Sequence, residues 1–268
     1  MNTISKTILI IIFAVTAAYS QSWEWVAPKP QGNNLSAVKM NGNNEGFAVG
    51  MLGTVMKTTD MGTTWEVQNT QTKKFLVDVT YSWVNELFAC GDSGIIIKTT
   101  NLGATWVISP SPITEYLRAI SFLSRDTGFA VSQQGKIIRT TNRGVSWQII
   151  NHPYTGRSFN NINFVNKTTG FITGNSGFFA RTTNAGLNWD TVSTGTTSSL
   201  FRMYFNSNGT GWVTGTQGRV LKTTDCGATF VSSISLTSSG LYDVSFTGNF
   251  GAIVGEQGRI WTSTNGGA

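Results

Sequence analysis

The sequence predicts an all-β protein, a β-propeller built from four-stranded blades. A short motif of the form Ser/Thr-x-Asp/Asn-x-Gly recurs six times, and its Asp or Asn positions, 60, 101, 142, 184, 225 and 265, are separated by 41, 41, 42, 41 and 40 residues. Each period contains four short segments rich in β-branched and aromatic residues, and 30 glycines supply many turns. A repeat of about 40 residues with four strands is typical of a propeller blade.

The first twenty residues are predicted to be separate from the propeller. Lys6 precedes an apolar run at residues 8–15, and small residues precede Gln21, which is the pattern of a secretory signal peptide. The run is too short to span a membrane. We therefore expect a signal peptide at residues 1–20, a single propeller domain at residues 21–268, no membrane span, and a secreted or periplasmic location.

The second repeat illustrates the four strands that we predict in each blade. Its candidate strands are residues 75–82, 86–90, 94–100 and 106–109. The second and third are joined by the turn Gly91-Asp92-Ser93-Gly94, in which glycine allows the positive φ that a tight hairpin requires. Four strands in this order form one antiparallel blade.

An additional candidate strand precedes the first repeat at residues 23–26. Trp25 lies 40 residues before Trp65, in phase with the repeat, and no aromatic strand follows the last motif. Because an open ring leaves sheet edges exposed, we expect residues 23–26 to complete the last blade and give a six-bladed ring. The alternative is a truncated seven-bladed parent.

Two family resemblances rest on these repeats. The motif with its following aromatic residue, Thr-Thr-Asn-Leu-Gly-Ala-Thr-Trp at residues 99–106, resembles the Asp-box of bacterial neuraminidase repeats. The longer unit at residues 211–225 resembles the repeat of photosystem II stability/assembly factor-like propellers. The second resemblance covers essentially all of residues 21–268, and it implies the propeller fold and the binding of client proteins through an arginine-rich surface.

The Asp or Asn of each motif has a structural interpretation. Its side-chain oxygen can accept backbone N–H groups of the turn, and the Gly two residues later permits a left-handed conformation. We predict this structural role for Asp60, Asn101, Asn142, Asn184, Asp225 and Asn265.

A metal site is disfavoured by the same residues. Only Asp60 and Asp225 are carboxylates, and asparagine is a weak calcium ligand. Two cysteines and one histidine are too few for a zinc site. We expect no metal and no cofactor.

A basic residue stands three positions before the motif Asp or Asn in five of the six repeats. Two interpretations remain open. The aliphatic stems pack while the charges pair with neighbouring turns, or the charges form a ring on one face that docks an acidic surface of an exported or envelope protein. On the second interpretation the binding residues are Lys57, Lys98, Arg139, Arg181 and Lys222.

The opposite face is an alternative binding surface, with Arg118, Tyr154, Arg157 and Arg202 as its candidate residues. The innermost strands carry, at equivalent places, Ala37, Asp78, Ala119, Asn161, Arg202 and Asp243. If these side chains face a central channel, Arg202 is expected to pair with a neighbouring carboxylate. A ligand site over the channel is the alternative.

The composition and the motifs favour protein binding over nucleic-acid binding and over catalysis. Only 12% of the residues are charged and the net charge is +6 without a basic cluster, which disfavours nucleic-acid binding. Residues 201–204 are the nearest match to the sialidase motif Phe/Tyr-Arg-Ile-Pro and lack the proline. Short connections between blades leave little room for a catalytic cleft. We expect a non-enzymatic protein-binding or assembly-factor-like module, with a sialidase-like or other glycoside hydrolase, or a carbohydrate-binding propeller, as the alternative.

Overall fold

The computed structural model describes residues 31–267, apart from residues 43 and 155, and these residues form a six-bladed all-β propeller. The predicted fold class is confirmed. The predicted signal peptide and the predicted closing strand at residues 23–26 lie outside the described residues. Besides strands, the described part contains single-turn 3-10 helices at Met51–Gly53, Asp92–Gly94 and Glu256–Gly258. No helix in this part has the length and apolar character that a membrane crossing requires.

The strands of each blade are antiparallel and follow one another from the propeller axis to the rim. Blades 1 and 2 comprise β1 (Leu35–Met40), β2 (Gly46–Gly50), β3 (Val55–Thr58), β4 (Glu66–Gln68), β5 (Leu76–Trp83), β6 (Glu86–Gly91), β7 (Ile96–Thr99) and β8 (Val107–Ile108). Blades 3 and 4 comprise β9 (Leu117–Phe122), β10 (Gly128–Ser132), β11 (Ile137–Thr140), β12 (Gln148–Ile150), β13 (Phe159–Phe164), β14 (Gly170–Gly174), β15 (Phe179–Thr182) and β16 (Asp190–Thr191). Blades 5 and 6 comprise β17 (Leu200–Phe205), β18 (Gly211–Gly215), β19 (Arg219–Thr223), β20 (Ser232–Ser235), β21 (Leu241–Thr247), β22 (Phe250–Gly255) and β23 (Ile260–Ser263).

The strands of the second repeat lie where the sequence predicts them, with small shifts at their ends. The sequence pattern predicts that the third strand begins at Gly94, but Gly94 closes the turn with a φ of +68° and the strand begins at Ile96. The fourth is only Val107–Ile108, and Trp106 before it is buried in the core. The short outer strand leaves the rim of the blade narrow.

The hydrophobic core lies in the seams, which are the interfaces between consecutive blades. Five clusters of buried side chains each join two blades, from blades 1 and 2 through to blades 5 and 6. In one of them, the centroid of the Phe88 ring of blade 2 lies 4.4 Å from that of Phe122 and 6.4 Å from that of Trp147, both in blade 3. A Cβ added to Gly144, the motif glycine of blade 3, would lie 2.5 Å from Phe88. The motif glycine is therefore required for close packing as well as for its left-handed backbone.

Each motif turn is held by side-chain hydrogen bonds to its own backbone. In the first, Oδ1 of Asp60 accepts the N–H of Thr64 and the hydroxyl of Thr58, each at 2.8 Å. The Thr58 oxygen accepts the N–H of Gly62 at 2.8 Å, and Met61 between them has a φ of 59°. The equivalent backbone N–H is bound by the side-chain oxygens of Asn101, Asn142, Asn184 and Asp225. Within the described ranges, no three His, Cys, Asp or Glu side chains are grouped as metal ligands, and the absence of a metal or cofactor stays a prediction.

Replacing Asp225 with Ala tests the structural role of the motif. Asp225 accepts the hydroxyl of Thr229 at 2.6 Å and its N–H at 2.9 Å, and these bonds lower the pKa of Asp225 to about 2. We expect Asp225→Ala to lower the free energy of unfolding by about 1 kcal/mol at neutral pH, because the turn loses its acceptor. Urea denaturation measures this difference.

The control is Asp225→Asn, which keeps the accepting oxygen used by the asparagine motifs and should be nearly as stable as the parent. Because the folded-state pKa of Asp225 lies below its ordinary value, the carboxylate stabilises the protein above about pH 4 and loses this effect as the pH falls toward 2. The Asn variant should lack that part of the pH dependence. Equal stability of Asp225→Ala and the parent would contradict the structural role.

Candidate functional site

The antiparallel strand order gives the propeller two different faces. The turns between second and third strands, such as Asp92–Gly94, lie at one end of the blades together with the connections that lead to the next blade, and we call this end the hairpin face. The motif turns and the turns between first and second strands lie at the other end, the box face. The two sets of predicted binding residues therefore lie at opposite ends of the molecule.

The five basic residues of the predicted ring lie at the box-face ends of the third strands, and all are half-buried. Three of them donate hydrogen bonds across a seam to the motif turn of the next blade. Lys98 Nζ lies 3.1 Å from the carbonyl oxygen of Arg143, and Arg181 Nε lies 2.9 Å from that of Cys226. Lys222 Nζ makes the same kind of contact with the last motif turn. These side chains link consecutive blades.

Some of the five basic residues contact aromatic side chains, and one of them also pairs with a carboxylate. Lys57 Nζ lies 5.8 Å from the centroid of Phe47, and the Arg139 guanidinium lies 5.6 Å from that of Phe129. Cations at this distance over a ring face are attracted to it. Lys57 also pairs with Glu45 at 3.5 Å. These contacts favour the interpretation in which the charges hold neighbouring turns, and docking of a partner by the ring stays a prediction.

A cavity of about 960 Å³ lies on the propeller axis and continues between blades 6 and 1. Bulges near the start of several inner strands direct polar side chains into it. Of the residues predicted to face the channel, those lining the cavity are Ala37, Asp78, Asn161, Arg202 and Asp243. Ala119 differs, because its short side chain is buried in the core between blades 3 and 4.

The predicted ion pair in the channel is present. Arg202 Nη1 lies 3.8 Å from Oδ1 of Asp78, while the other oxygen of Asp78 accepts the N–H of Ile120 at 3.0 Å. Burial raises the pKa of Asp78 and also that of Asp243, and the positive charge of Arg202 opposes both effects. The axis of the propeller thus holds charged groups in a partly desolvated setting.

The four candidate residues of the hairpin face do not form one site. Arg118 donates to Oε1 of Gln133 at 2.9 Å, and the Tyr154 hydroxyl donates to the carbonyl oxygen of Trp189. Arg202 lies in the axial cavity. Arg157 is exposed and lines a different cavity. Among these four, Arg157 is therefore the residue most accessible to a partner.

The cavity beside Arg157 is a groove of about 600 Å³ at the rim of blades 4 and 5. The guanidinium of Arg157 lies 5.1 Å from the ring of Phe178, which fixes its position on the groove wall. Arg219 lines the same groove, and the remaining lining is rich in hydroxyl groups, from Ser176, Thr191, Ser193, Thr194, Thr196 and Thr197. No acidic side chain is among the described residues that line it. This arrangement is suited to a negatively charged ligand.

Arg219 was not among the residues predicted from sequence. A usable signal exists, because a basic residue directly follows the glycine of the hairpin turn in three repeats, at Lys136, Arg219 and Arg259. No such pattern predicts that Arg219 lines the same groove as Arg157. The two residues belong to different blades and meet only through the packing of blade 4 against blade 5.

A protein-family model matches the chain. The model of the family described as photosynthesis system II assembly factor YCF48 matches residues 15–110, 108–197 and 186–268. These overlapping matches extend over nearly the whole chain. No curated protein matches it by sequence.

Several solved structures share the fold. YCF48 bound to a D1 peptide matches with a TM-score of 0.74 and 22% identity, over 89% of this chain and 81% of that chain. YCF48 from Cyanidioschyzon merolae matches with a TM-score of 0.71 and 19% identity, over 89% and 84%. An ancestral GH74 enzyme matches with a TM-score of 0.66 and 17% identity, over 83% of this chain but only 34% of the enzyme. At these identities the similarity establishes the fold alone.

Replacing Arg181 with Met distinguishes the two roles of the basic ring. Methionine keeps the apolar stem but removes the hydrogen bond to the Cys226 carbonyl across the seam. If the ring links blades, the free energy of unfolding should fall by about 1 to 2 kcal/mol. Urea denaturation measures the change.

The matched control is Lys167→Met, which removes an exposed charge from the box face and should leave stability unchanged. If Arg181→Met were as stable as the parent, the result would favour the docking role of the ring.

Proposed function

The chain belongs to the family of the photosynthesis system II assembly factor YCF48, and on this premise we propose that it is an exported, non-enzymatic propeller that binds a protein partner. The partner is an exported or envelope protein with an acidic surface. A solved YCF48 holds a D1 peptide, which supports a polypeptide as the class of ligand. The observation that carries the choice of surface is the basic groove of Arg157 and Arg219, which has no acidic lining among the described residues.

The charges of the hairpin face support an acidic partner. Its turns, connections and strand starts hold seven described basic residues against three acidic ones. The basic residues are Lys73, Lys74, Arg118, Lys136, Arg157, Arg219 and Arg259, and the acidic residues are Asp92, Glu115 and Glu256. An excess of positive charge on one face attracts an acidic surface and accelerates its association.

Ion pairs within the molecule take up charge on both faces. Lys136 pairs with Glu115 at 2.7 Å on the hairpin face, and the box face has ion pairs of its own. Besides the ring residues, Arg125 pairs with the buried Glu86, and Arg143 pairs with Asp126 at 2.7 Å. Charges already paired within the molecule contribute little to attracting a partner. We place the partner on the hairpin face, at the groove of Arg157, because that groove has no acidic lining among the described residues.

A glycoside hydrolase or carbohydrate-binding propeller is the alternative. The fold it shares with GH74 enzymes and the two carboxylates in the axial cavity, Asp78 and Asp243, favour it. The match covers only 34% of the GH74 enzyme, which favours the binding role instead.

The first test uses a fluorescein-labelled peptide of alternating glutamate and serine residues. The parent should bind it in fluorescence anisotropy, with an affinity that falls as salt is added. Arg157→Glu should bind at least about tenfold more weakly, because a repulsive charge replaces an attractive one in the groove. The matched control is Lys167→Glu, which reverses an exposed charge on the box face and should bind like the parent.

Equal binding by Arg157→Glu and the parent would remove the groove from the proposal. The parent should not release reducing sugar from xyloglucan or from a sialylated glycan. If it does, and if Asp78→Asn loses this activity, the proposal that the protein is non-enzymatic is contradicted.

Export is supported by the pattern of the first twenty residues alone, where Lys6 precedes the apolar run. When the full chain is expressed in a secretion-competent host, we expect a mature protein beginning at Gln21. Mass spectrometry of the intact protein checks this. A protein that stays inside the cell and keeps its first twenty residues would contradict export.

A further inference from the structure

Equivalent positions on the inner strands of the six blades surround the propeller axis. Four of them carry polar side chains that line the axial cavity, namely Asp78, Asn161, Arg202 and Asp243. Each is the third residue of its strand, so the four lie at one level, near the hairpin face, where the inner strands begin. We call these four residues the axial site.

Arg202 lies at the centre of the axial site. It belongs to blade 5 and its partner Asp78 to blade 2, so their ion pair joins opposite blades and crosses the axis. The 3.8 Å between Nη1 of Arg202 and Oδ1 of Asp78 is longer than a hydrogen bond. The guanidinium makes no hydrogen bond to any residue that the structure describes. Its donors therefore face the cavity unused, and their planar arrangement suits a carboxylate.

Asn161 is a second, independent indication of a ligand. Its residue is only 6% exposed and lines the cavity, yet its side chain has no hydrogen bond within the described part of the chain. A buried amide without a partner costs free energy. Asn161 belongs to blade 4, next to the blade of Arg202. The amide nitrogen and the guanidinium can therefore donate to the same bound acceptor.

Asp243 supplies a negative charge on the other side of Arg202. It belongs to blade 6, which follows the blade of Arg202, and it lines the same cavity. Its Oδ1 accepts the backbone N–H of Val244 at 2.8 Å. Its second oxygen has no hydrogen-bond donor among the described residues. This oxygen can accept a hydrogen bond from a positively charged group in the cavity.

The charges of the axial site select the class of ligand. A simple carboxylate bound to Arg202 would be a third anion beside Asp78 and Asp243, and the two would repel it. A simple amine bound to Asp243 would lie beside the Arg202 cation and would leave the donors of Arg202 and Asn161 unused. A molecule that carries both a carboxylate and an ammonium group avoids both conflicts.

We propose that the axial site binds a free α-amino acid. The carboxylate of the ligand accepts hydrogen bonds from Arg202 and Asn161, and its ammonium group donates to Asp243. Asp78 holds Arg202 in place from across the axis, and is itself held by the N–H of Ile120 at 3.0 Å. The cavity volume of about 960 Å³ accommodates the amino acid with its side chain.

The axial site is distinct from the groove of Arg157, where we place the protein partner. Arg157→Glu should leave amino-acid binding unchanged, and a variant that loses amino-acid binding should still bind the peptide of glutamate and serine. The two proposals therefore fail separately.

The probes are L-leucine, L-glutamine, L-lysine and L-glutamate, which are mixed with the full chain. Saturation-transfer difference NMR should show transfer to at least one of them, and isothermal titration calorimetry then measures its affinity. The controls are the matching amine without the carboxylate and the matching acid without the ammonium group, which for L-leucine are isopentylamine and 4-methylpentanoate. Each should bind at least about tenfold more weakly, because it loses one charged hydrogen-bonding group.

Asn161→Leu distinguishes a binding role from a structural role. Leucine has nearly the shape of asparagine and lacks the amide, so amino-acid binding should weaken at least about tenfold. The melting temperature should stay equal or rise, because a buried polar group without a partner is removed. The matched control is Asn151→Leu, at an exposed asparagine, and it should bind like the parent.

Asp243→Asn is the second variant, and it keeps an oxygen that can accept the N–H of Val244. It should also weaken binding, because the ammonium group of the ligand loses its counter-charge. If Asn161→Leu melts at a lower temperature than the parent, Asn161 has a structural role and Asp243→Asn decides the proposal.

Three results would overturn the proposal. One is the absence of saturation transfer to all four amino acids. Another is equal affinity of the parent and Asp243→Asn, or of an amino acid and its matching amine or acid. The third is binding of D-xylose in place of any amino acid, which would make the axial site a carbohydrate site.

Discussion

The structure depends on one contact, the burial of an aromatic ring of one blade against the inner strand and the motif of the next. Phe88 illustrates it, because Phe122, Trp147 and Gly144 of the following blade all touch or closely approach its ring. A single four-stranded sheet has no partner for this ring, so a blade alone buries little apolar surface. The requirement explains why the glycine and the aromatic residue of each motif recur together.

The same contact explains the basic residue that the first five repeats carry. Lys222 lies opposite Trp212 on the neighbouring strand, with its Nζ 5.7 Å from the centroid of the indole ring, and the same Nζ donates to carbonyl oxygens of the next motif turn. These turns present carbonyl groups that water or a cation must satisfy. Several basic side chains of the box face thus link consecutive blades, which is why we propose the hairpin face, with its exposed Arg157, as the surface that contacts a partner.

Blade 6 illustrates the structural consequence of altering the repeat. Its strands still form, because the hairpin turns and the alternating pattern are local properties. Its face toward blade 1 lacks the aromatic ring, and Val254 and Ile260 remain exposed there. The burial of apolar side chains between two blades therefore depends on the side chains of the preceding blade as well as on the presence of a sheet.

The sequence by itself determined the six repeats, their strands and their turns, but it left a six-bladed ring and a truncated seven-bladed parent as alternatives. Spacing of the motif and alternation along each strand are enough for this, since the hydrogen bonds of Asp60 with Thr58 and Thr64 lie within one turn. It also placed Arg202 and Asp78 in the channel, because equivalent positions of a repeat lie at equivalent places. Only the tertiary structure decided what each repeated residue contacts. Val38 and Val79 occupy the same place in the repeat, yet one is exposed and the other buried, because burial depends on the neighbouring blade. The groove of Arg157 and Arg219 likewise arises where two blades pack, between residues that no local pattern connects.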